Sequence, residues 1–381
     1  MMIPSLEKSL FVIFLLFSTA YRSTIGCYTS IFSFGDSLAD TGNLLSISRS
    51  SGGITTQIGF PPYGETYFHR PTGRFSDGRI IIDFIAQHLG LDLIPPYFGE
   101  HNAEIDHDLK LGMNFAVGGA TALDNDFLKK MGIPVSVNNS SLLDQLSWFK
   151  QILPSFCDSN LSCKEFLKTY LFLVGEIGGN DYNNPLLNGN SSLEEVKTLV
   201  NPVIDVIGST ITELIEIGAV TLVVPGNFPI GCLPVYLNHF NDLAKQSDYD
   251  PKTRCINWLN DFSQYHNEKL LEEINKIRKL HPNVTIIYAD YYNAAMDLFK
   301  SPSKYGFNEW PFEACCGGGG PYNANSSVRC GEPSSKICGD PSTYISWDGI
   351  HMTEAGYKWI SKGLLEEYTF PLIESKCISS A

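Results

Sequence analysis

Two residues near the C-terminus have the types and the spacing that acid–base chemistry requires. Asp348 and His351 lie three positions apart in the stretch Trp347-Asp348-Gly349-Ile350-His351. A carboxylate at this spacing can hydrogen-bond the imidazole, which fixes its tautomer and stabilises its protonated form. Of the eight histidines, His351 alone has this spacing just before a predicted C-terminal helix. The pair is therefore a candidate acid–base unit.

A serine follows the first predicted strand on a tight turn. The apolar run Ile31-Phe32-Ser33-Phe34 stops at Gly35, and the chain continues as Asp36-Ser37-Leu38. A serine at such a turn points outward with its backbone N–H free, as an accessible nucleophile requires. Gly, Asp and Ser are also all common in ordinary strand-end turns. This motif alone therefore leaves both interpretations open, a nucleophile or a simple turn.

Two glycine-containing blocks could supply hydrogen-bond donors. Asn114-Phe115-Ala116-Val117-Gly118-Gly119-Ala120 has paired glycines, which let the backbone approach a ligand and direct an N–H toward it. Gly178-Gly179-Asn180-Asp181 follows a predicted strand, and Asn180 could donate from its side-chain amide. Taken alone, each block is more typical of a simple turn.

Alternating strands and helices must bring these motifs together. The strand-like runs are Ile31–Phe34, Leu171–Val174, Ala219–Val224 and Val284–Tyr288. The helical patterns are Ile80–Leu89, Val196–Ile217, Trp258–Leu280 and Tyr357–Tyr368. Continuous β-branched strands separated by helices predict a parallel sheet with helices on both faces. Sites in such folds form beyond the C-terminal ends of the strands, where these motifs lie.

The composition narrows the range of partners. The 381 residues are 43% hydrophobic and 18% charged, which is typical of a globular protein. The excess of 41 acidic over 27 basic residues gives a net charge of −14, which disfavours nucleic acid and anionic membranes as partners. Residues 301–345 are rich in Cys, Gly, Pro and Asn without periodicity, and we expect a long loop held by disulfides.

Several enzyme classes lack their motif in this sequence. There is no His-Glu-x-x-His for a metallohydrolase, and no Gly-x-Gly-x-x-Gly or P-loop for a nucleotide enzyme. A standard α/β-hydrolase needs Gly-x-Ser-x-Gly, but in the stretch that begins at Gly35 the fifth position of the motif is Ala39. A metallohydrolase, a nucleotide enzyme and a standard α/β-hydrolase are therefore disfavoured.

The N-terminus has the pattern of an export signal. Lys8 precedes an apolar run from Ser9 to Ala20, which has the length of a signal-peptide core and is too short to span a bilayer. Small residues follow, so we expect removal of residues 1–26, with cleavage between residues 20 and 27. A membrane anchor or a buried helix is the alternative. No other apolar stretch is judged long enough to span, so the mature protein is expected to have no integral membrane segment.

Cysteines and sequons agree with secretion. The ten cysteines are Cys27, Cys157, Cys163, Cys232, Cys255, Cys315, Cys316, Cys330, Cys338 and Cys377. An even count without Cys-x-x-Cys suggests disulfides, for which Cys157–Cys163 and Cys330–Cys338 are plausible local pairs among open connectivities. The Asn-x-Ser/Thr sequons are at Asn138, Asn139, Asn160, Asn190, Asn283 and Asn325, which suggests a glycoprotein.

The four blocks in this order resemble the GDSL family of the SGNH hydrolases. That family has a Gly-Asp-Ser-Leu turn, a glycine block, a Gly-x-Asn-Asp block and an Asp-x-x-His block, and the resemblance extends from Ile31 to about Phe370. It implies one hydrolase domain over residues 27–381. It also implies a three-layer α/β/α fold with a central, mostly parallel five-stranded sheet, as in flavodoxin-like SGNH hydrolases.

The resemblance also implies roles for individual residues. Ser37 corresponds to the nucleophile, His351 to the general base and Asp348 to the residue that orients the base. No other group would be required, since a serine esterase of this kind works through an acyl-enzyme without metal or cofactor.

An oxyanion hole is part of the same resemblance. It would comprise the Ser37 N–H, the Asn180 side chain and the Gly119 N–H, with Gly118 as the alternative glycine. The family usually has Ser where Val117 stands, which is a departure in the shape of this loop.

Neighbouring segments are similar to the plant secreted branch of the family. They are Phe32–Ser37, Gly73–Arg79 and Pro225–Cys232, while Asp144–Lys150 is similar to the acetylajmalan esterase-like enzymes. The resemblance implies a secreted, monomeric esterase of the apoplast or vacuole that hydrolyses acetyl esters of a small specialised metabolite, such as an acetylated alkaloid. The alternatives are a lipase, a cell-wall acetyl esterase, an acyltransferase on the same triad, or a non-catalytic secreted glycoprotein.

Overall fold

A computed structural model describes residues 28–52, 56–99, 112–135, 140–189 and 191–368. The predicted signal peptide lies outside the described residues. So do two of the cysteines, Cys27 and Cys377, and three of the sequons, Asn138, Asn139 and Asn190.

Five parallel strands form the central sheet in the order β2-β1-β3-β4-β5. They are β1 (Ser30–Phe34), β2 (Gly112–Asn114), β3 (Tyr170–Val174), β4 (Thr221–Pro225) and β5 (Thr285–Ala289). In register, Ile31 of β1 lies opposite Gly112 on one side and Leu171 on the other. Every residue of β1 and β3 is buried, because helices cover both faces. The predicted α/β fold with a parallel sheet is confirmed, and its order is that of flavodoxin-like folds.

Twelve α-helices lie in the described part of the chain. They are α1 (Asn43–Ser50), α2 (Ile81–His88), α3 (Asn125–Lys130), α4 (Leu142–Ile152), α5 (Asn160–Leu167), α6 (Gly179–Asn183), α7 (Leu193–Lys197), α8 (Val200–Ile217), α9 (Pro234–His239), α10 (Asn257–Leu280), α11 (Tyr291–Lys300) and α12 (Glu354–Gly363). π-helical turns extend α6 over Asn184–Asn188 and α12 over Leu364–Tyr368. The four predicted strands and the predicted α2 and α10 are confirmed within a few residues.

Two predicted helices differ from the observed ones at their start. The pattern over Val196–Ile217 is divided, since a turn separates α7 from α8. The C-terminal helix begins earlier than Tyr357, because the Thr353 side chain accepts the Gly356 N–H and caps its first turn at Glu354.

Helix α8 is the most apolar long helix of the described residues. The stretch Leu193–Ile217 is long and apolar enough to cross a membrane by length and composition alone, with a mean hydropathy of 1.3. The expectation that no further stretch has this property is therefore wrong. Half of the stretch is buried inside the fold, where α8 packs against α10 and α4. Its composition fits a core helix that covers the sheet.

Four disulfides lie in the described residues: Cys157–Cys163, Cys232–Cys255, Cys315–Cys338 and Cys316–Cys330. The first confirms a predicted pair, whereas the predicted pair Cys330–Cys338 is wrong. Short antiparallel strands, β6 (Cys316–Gly317) and β7 (Lys336–Ile337), bring the Cys338 N–H to 2.7 Å from the Cys315 carbonyl. Successive side chains of an extended chain point to opposite sides, so Cys316 faces Cys330 instead. The predicted long loop over 301–345 is thus held by two crosslinks.

Candidate active site

Ser37, His351 and Asp348 form one hydrogen-bonded chain at the C-terminal edge of the sheet. The Ser37 Oγ lies 2.7 Å from the His351 Nε2, and the His351 Nδ1 lies 2.8 Å from the Asp348 Oδ2. Ser37 is 8% exposed and His351 is 7% exposed, so the contact is shielded from bulk water. The arrangement places a base against a hydroxyl and a carboxylate behind the base, which is the geometry of a nucleophilic triad.

The turn that presents Ser37 is held from two sides. Gly35 has a φ of +141°, which a side chain rarely tolerates, and a Cβ there would lie 3.0 Å from the Glu176 carbonyl oxygen. The Gln145 amide of α4 brackets this glycine with two hydrogen bonds of 2.8 Å, to its N–H and to its carbonyl. The turn that presents Ser37 is therefore fixed by contacts within the fold.

Asp348 is held by four hydrogen-bond donors. Its Oδ1 accepts the backbone N–H groups of Ile350 and His351 at 3.1 and 2.9 Å, and its Oδ2 accepts the Tyr63 hydroxyl at 2.9 Å. Burial alone would raise the pKa of Asp348, but the His351 imidazole and these donors hold it below its usual value. Asp348 is therefore an anion that faces the base. Sequence reasoning missed Tyr63, which lies 285 positions away with no local motif around it.

The disulfide-linked loop supports the segment that carries this pair. The Cys315 and Cys316 N–H groups donate to the carbonyls of Ser346 and Trp347 at 2.9 and 2.7 Å. The Trp347 N–H in turn donates to the His351 carbonyl at 2.7 Å, which closes the Asp348–His351 turn. The crosslinks thus stabilise the loop on which the base is mounted.

The segment Gly73–Arg79, noted only for its family resemblance, packs directly on the base. The Phe75 ring lies 4.6 Å from the His351 ring, centroid to centroid. The Asp77 Oδ1 accepts the Glu354 N–H at 2.7 Å, at the first turn of α12. This segment therefore fixes both the imidazole plane and the helix that follows it.

The glycine block offers one backbone donor that makes no hydrogen bond within the described residues. Within the described residues, neither the Ser37 N–H nor the Gly119 N–H has a hydrogen-bond partner, whereas the Gly118 N–H donates to the Asp40 Oδ2 at 2.8 Å. Gly119 has a φ of +80°, which suits glycine. Val117 is buried and its N–H donates to the Gly35 carbonyl at 3.2 Å, so the departure from Ser leaves the backbone path intact.

Asn180 lies at the start of α6, where the loop after β3 meets the glycine block. Its Nδ2 donates to the Asp36 Oδ2 and to the Ala120 carbonyl, both at 3.0 Å. Asp36 directly precedes Ser37, so the amide of Asn180 is held beside the nucleophile turn. The structure therefore brings all four predicted blocks together at one edge of the sheet.

The part of the chain that the structure describes has no set of side chains that could together bind a metal ion. No group of three or more His, Cys, Asp or Glu side chains there is arranged to hold a metal ion.

The comparisons with known proteins agree with this geometry. The family model "GDSL-like Lipase/Acylhydrolase" matches residues 31–364. A GDSL esterase/lipase of Arabidopsis thaliana is 52% identical over 376 residues, which cover 97% of this chain and 93% of the relative. The sinapine esterase of Brassica napus is 48% identical over 356 residues, which cover 93% of this chain and 90% of the relative. This chain therefore belongs to the plant GDSL esterase/lipase family of SGNH hydrolases and is a carboxylic ester hydrolase.

Proposed function

We propose that the chain is a secreted serine esterase that works through Ser37, His351 and Asp348 and an acyl-enzyme intermediate. The observation that carries the proposal is the continuous hydrogen-bonded chain from the Ser37 hydroxyl through the imidazole to the carboxylate, at 2.7 and 2.8 Å. A non-catalytic glycoprotein would have no need to keep these contacts together with a free Gly119 N–H.

The reaction follows from these positions. His351 Nε2 takes the Ser37 proton as Oγ attacks the ester carbonyl carbon, and the Asp348 anion stabilises the imidazolium that results. The N–H groups of Ser37 and Gly119 donate to the oxyanion of the tetrahedral intermediate. The Asn180 Nδ2 keeps its hydrogen bond to Asp36 and turns its second hydrogen from the Ala120 carbonyl to the oxyanion. His351 then protonates the leaving alcohol, and water enters by the same route to release the acid.

We further propose that the preferred acyl group is small, with acetyl as the best substrate. Phe75 and Leu44 crowd the oxyanion loop: a Cβ at Gly118 would lie 2.4 Å from the Phe75 ring and 3.1 Å from the Leu44 side chain. Phe75 also packs on His351, so these side chains limit the room around the reacting carbonyl. The similarity of Asp144–Lys150 to acetylajmalan esterase-like enzymes supports an acetylated specialised metabolite, such as an alkaloid ester.

An acyl-chain-length series on the purified protein tests this substrate class. Aryl esters from acetyl to palmitoyl are compared by kcat/KM, with sinapine included because one relative is a sinapine esterase. We expect acetyl to be preferred. A preference for long chains would indicate the lipase alternative. Free alcohol acceptors in the same assay separate hydrolysis from acyl transfer, because a transferase would form a new ester instead of free acid.

Asn180→Ala should lower kcat by about 10²- to 10³-fold, the usual cost of one oxyanion donor. The Ser37–His351 contact remains in this variant, so attack still occurs but the developing charge loses a partner. A serine-directed phosphonate should accordingly still label the variant, only slowly. The exposed Asn241→Ala variant is the control and should keep the wild-type kcat. Wild-type turnover by Asn180→Ala would mean that Asn180 only shapes the turn and does not donate to the oxyanion.

We also propose that the chain passes through the secretory pathway to the apoplast or vacuole. The three sequons in the described residues, Asn160, Asn283 and Asn325, are all exposed, and the four disulfides agree with an oxidising compartment. Mass spectrometry of the protein from plant tissue should find an N-terminus between residues 20 and 27, glycans and disulfide-bonded cysteines. An intact N-terminus with unmodified sequons and free thiols would contradict export.

A further inference from the structure

Two carboxyl groups that the proposed mechanism does not use lie in contact beneath the nucleophile turn. Asp36 is 3% exposed and Glu176 is 4% exposed, and their side chains hydrogen-bond each other. The Asp36 N–H also donates to the Glu176 carbonyl at 3.1 Å, which ties the two backbones together. Two buried carboxylates in contact cannot both be ionised, so one proton is shared between them.

The surroundings place that proton on Glu176. Asp36 accepts the Leu38 N–H at 2.9 Å and the Asn180 amide at 3.0 Å, and both donors stabilise its anion. Burial and the neighbouring charges of Asp36 and Asp181 raise the pKa of Glu176 well above its usual value. The pair therefore carries one negative charge, and that charge lies on Asp36.

The Glu176 carboxyl group makes contacts that a side-chain amide could also make, with one hydrogen bond accepted and one donated. The Gly179 N–H donates to its carboxyl group, and a Cβ at Gly179 would lie 2.8 Å from the Glu176 Oε1. A protonated Glu176 carboxyl group can therefore accept this hydrogen bond and donate its proton to Asp36. The other titratable groups that face the pair are Asp40, Asp181, His351, Tyr182, Tyr236, Tyr291 and Tyr357.

We infer that the Asp36–Glu176 pair is a positioning device for the oxyanion hole. Protonated Glu176 holds Asp36 as a single anion. The Asp36 Oδ2 accepts one hydrogen of the Asn180 Nδ2 at 3.0 Å, which orients the amide so that its other hydrogen can turn from the Ala120 carbonyl to the oxyanion. The pair acts on catalysis through Asn180 and touches no reacting atom. This inference rests on the oxyanion role proposed above for Asn180.

Two substitutions at Glu176 distinguish the effect of the shared proton on kcat from the effect of the side-chain shape. A glutamine can accept the Gly179 N–H and donate to Asp36 at every pH, so Glu176→Gln should keep kcat within about threefold of the wild type. Glu176→Leu removes the donor and leaves the Asp36 charge without its partner. Its kcat should fall about 10²-fold, toward the cost of one oxyanion donor, with little change in KM.

A double-mutant cycle identifies the route of the effect. Because Glu176 acts through Asn180, the double variant Glu176→Leu/Asn180→Ala should have the kcat of Asn180→Ala alone, within about threefold. A general loss of structure would instead multiply the two effects. Thermal unfolding and slow phosphonate labelling of Ser37 check that each variant keeps its fold.

A second variant serves if Glu176→Leu does not fold. Asp36→Asn has the same shape as the wild-type residue but turns a donor toward the Asn180 amide, so the two groups repel. Its kcat should fall about as far as that of Asn180→Ala, without a further loss in the double variant.

Each outcome bears on the inference. Loss of activity in Glu176→Gln equal to that in Glu176→Leu would overturn the shared proton. Losses that add up when Glu176→Leu is combined with Asn180→Ala would overturn the route through Asn180. Wild-type kcat in both Glu176→Leu and Asp36→Asn would also overturn it. In either case the proposed serine mechanism would stand. Wild-type kcat in Asn180→Ala would overturn the inference and the proposed oxyanion role together, whereas inactivity of Ser37→Ala would still support the triad.

Discussion

Ser37→Ala should lower the kcat for ester hydrolysis by roughly 10⁴- to 10⁶-fold, as expected when a catalytic serine is removed. The hydroxyl is the atom that His351 Nε2 contacts at 2.7 Å, and within the described residues no other hydroxyl contacts that nitrogen. The fold should survive, because Ser37 lies on a turn that Gly35 and Gln145 hold through other atoms. The measurements are acetyl-ester turnover, phosphonate labelling and thermal unfolding.

The strand that precedes this turn offers a matched control. Ser33 is fully buried in β1, and its Oγ has no hydrogen-bond partner in the described residues. Ser33→Ala should therefore keep both turnover and phosphonate labelling. If verified Ser37→Ala protein turned over acetyl esters at a rate close to that of Ser33→Ala, Ser37 would not be the nucleophile.

Asp348→Asn should lower kcat by about 10⁴-fold with little change in KM, because it sets the wrong imidazole tautomer. The asparagine oxygen must stay on the side where Oδ1 accepts the Ile350 and His351 N–H groups. Its Nδ2 then faces the His351 Nδ1 and donates to it. The proton of the neutral ring moves to Nε2, which can no longer accept the Ser37 proton.

A control variant and thermal unfolding distinguish this effect from a loss of structure. The exposed Asp92→Asn variant is the control for a lost carboxylate and should keep wild-type turnover. Asp348→Asn should unfold at a temperature near the wild-type value, since every backbone donor keeps an acceptor. A variant that hydrolyses acetyl esters within tenfold of the wild type would remove Asp348 from the triad.

Sequence reasoning found the long apolar elements of the fold because burial on both faces makes them continuous. Tyr170–Val174 and Thr221–Pro225 are runs of this kind. The edge strand Gly112–Asn114 was missed, because three residues with a glycine show no periodicity. The fifth strand was expected only from the family resemblance.

The candidate site was predictable only where a local motif marks it. Ser37, Asn180 and the Asp348–His351 pair each lie in a short recognisable block. The side chains that hold them do not, because their partners are far away in sequence: Tyr63 bonds Asp348 and Gln145 brackets Gly35. Glu176 lies close to the third block in sequence, but no sequence pattern marks it. Only its burial against Asp36 in the structure indicates a role.

The separation of Ser37 from His351 along the chain, 314 positions, has a consequence for biosynthesis. The chain is made from the N-terminus onward, so β1 and the turn that carries Ser37 leave the ribosome long before His351. The His351 imidazole reaches Ser37 only when α12 docks on α2. In that docked state Glu354 pairs at 2.7 Å with Arg79, which lies just before α2. On the proposed mechanism, an unfinished chain, or one cut before His351, cannot hydrolyse an ester, so hydrolytic activity shows that the fold is complete.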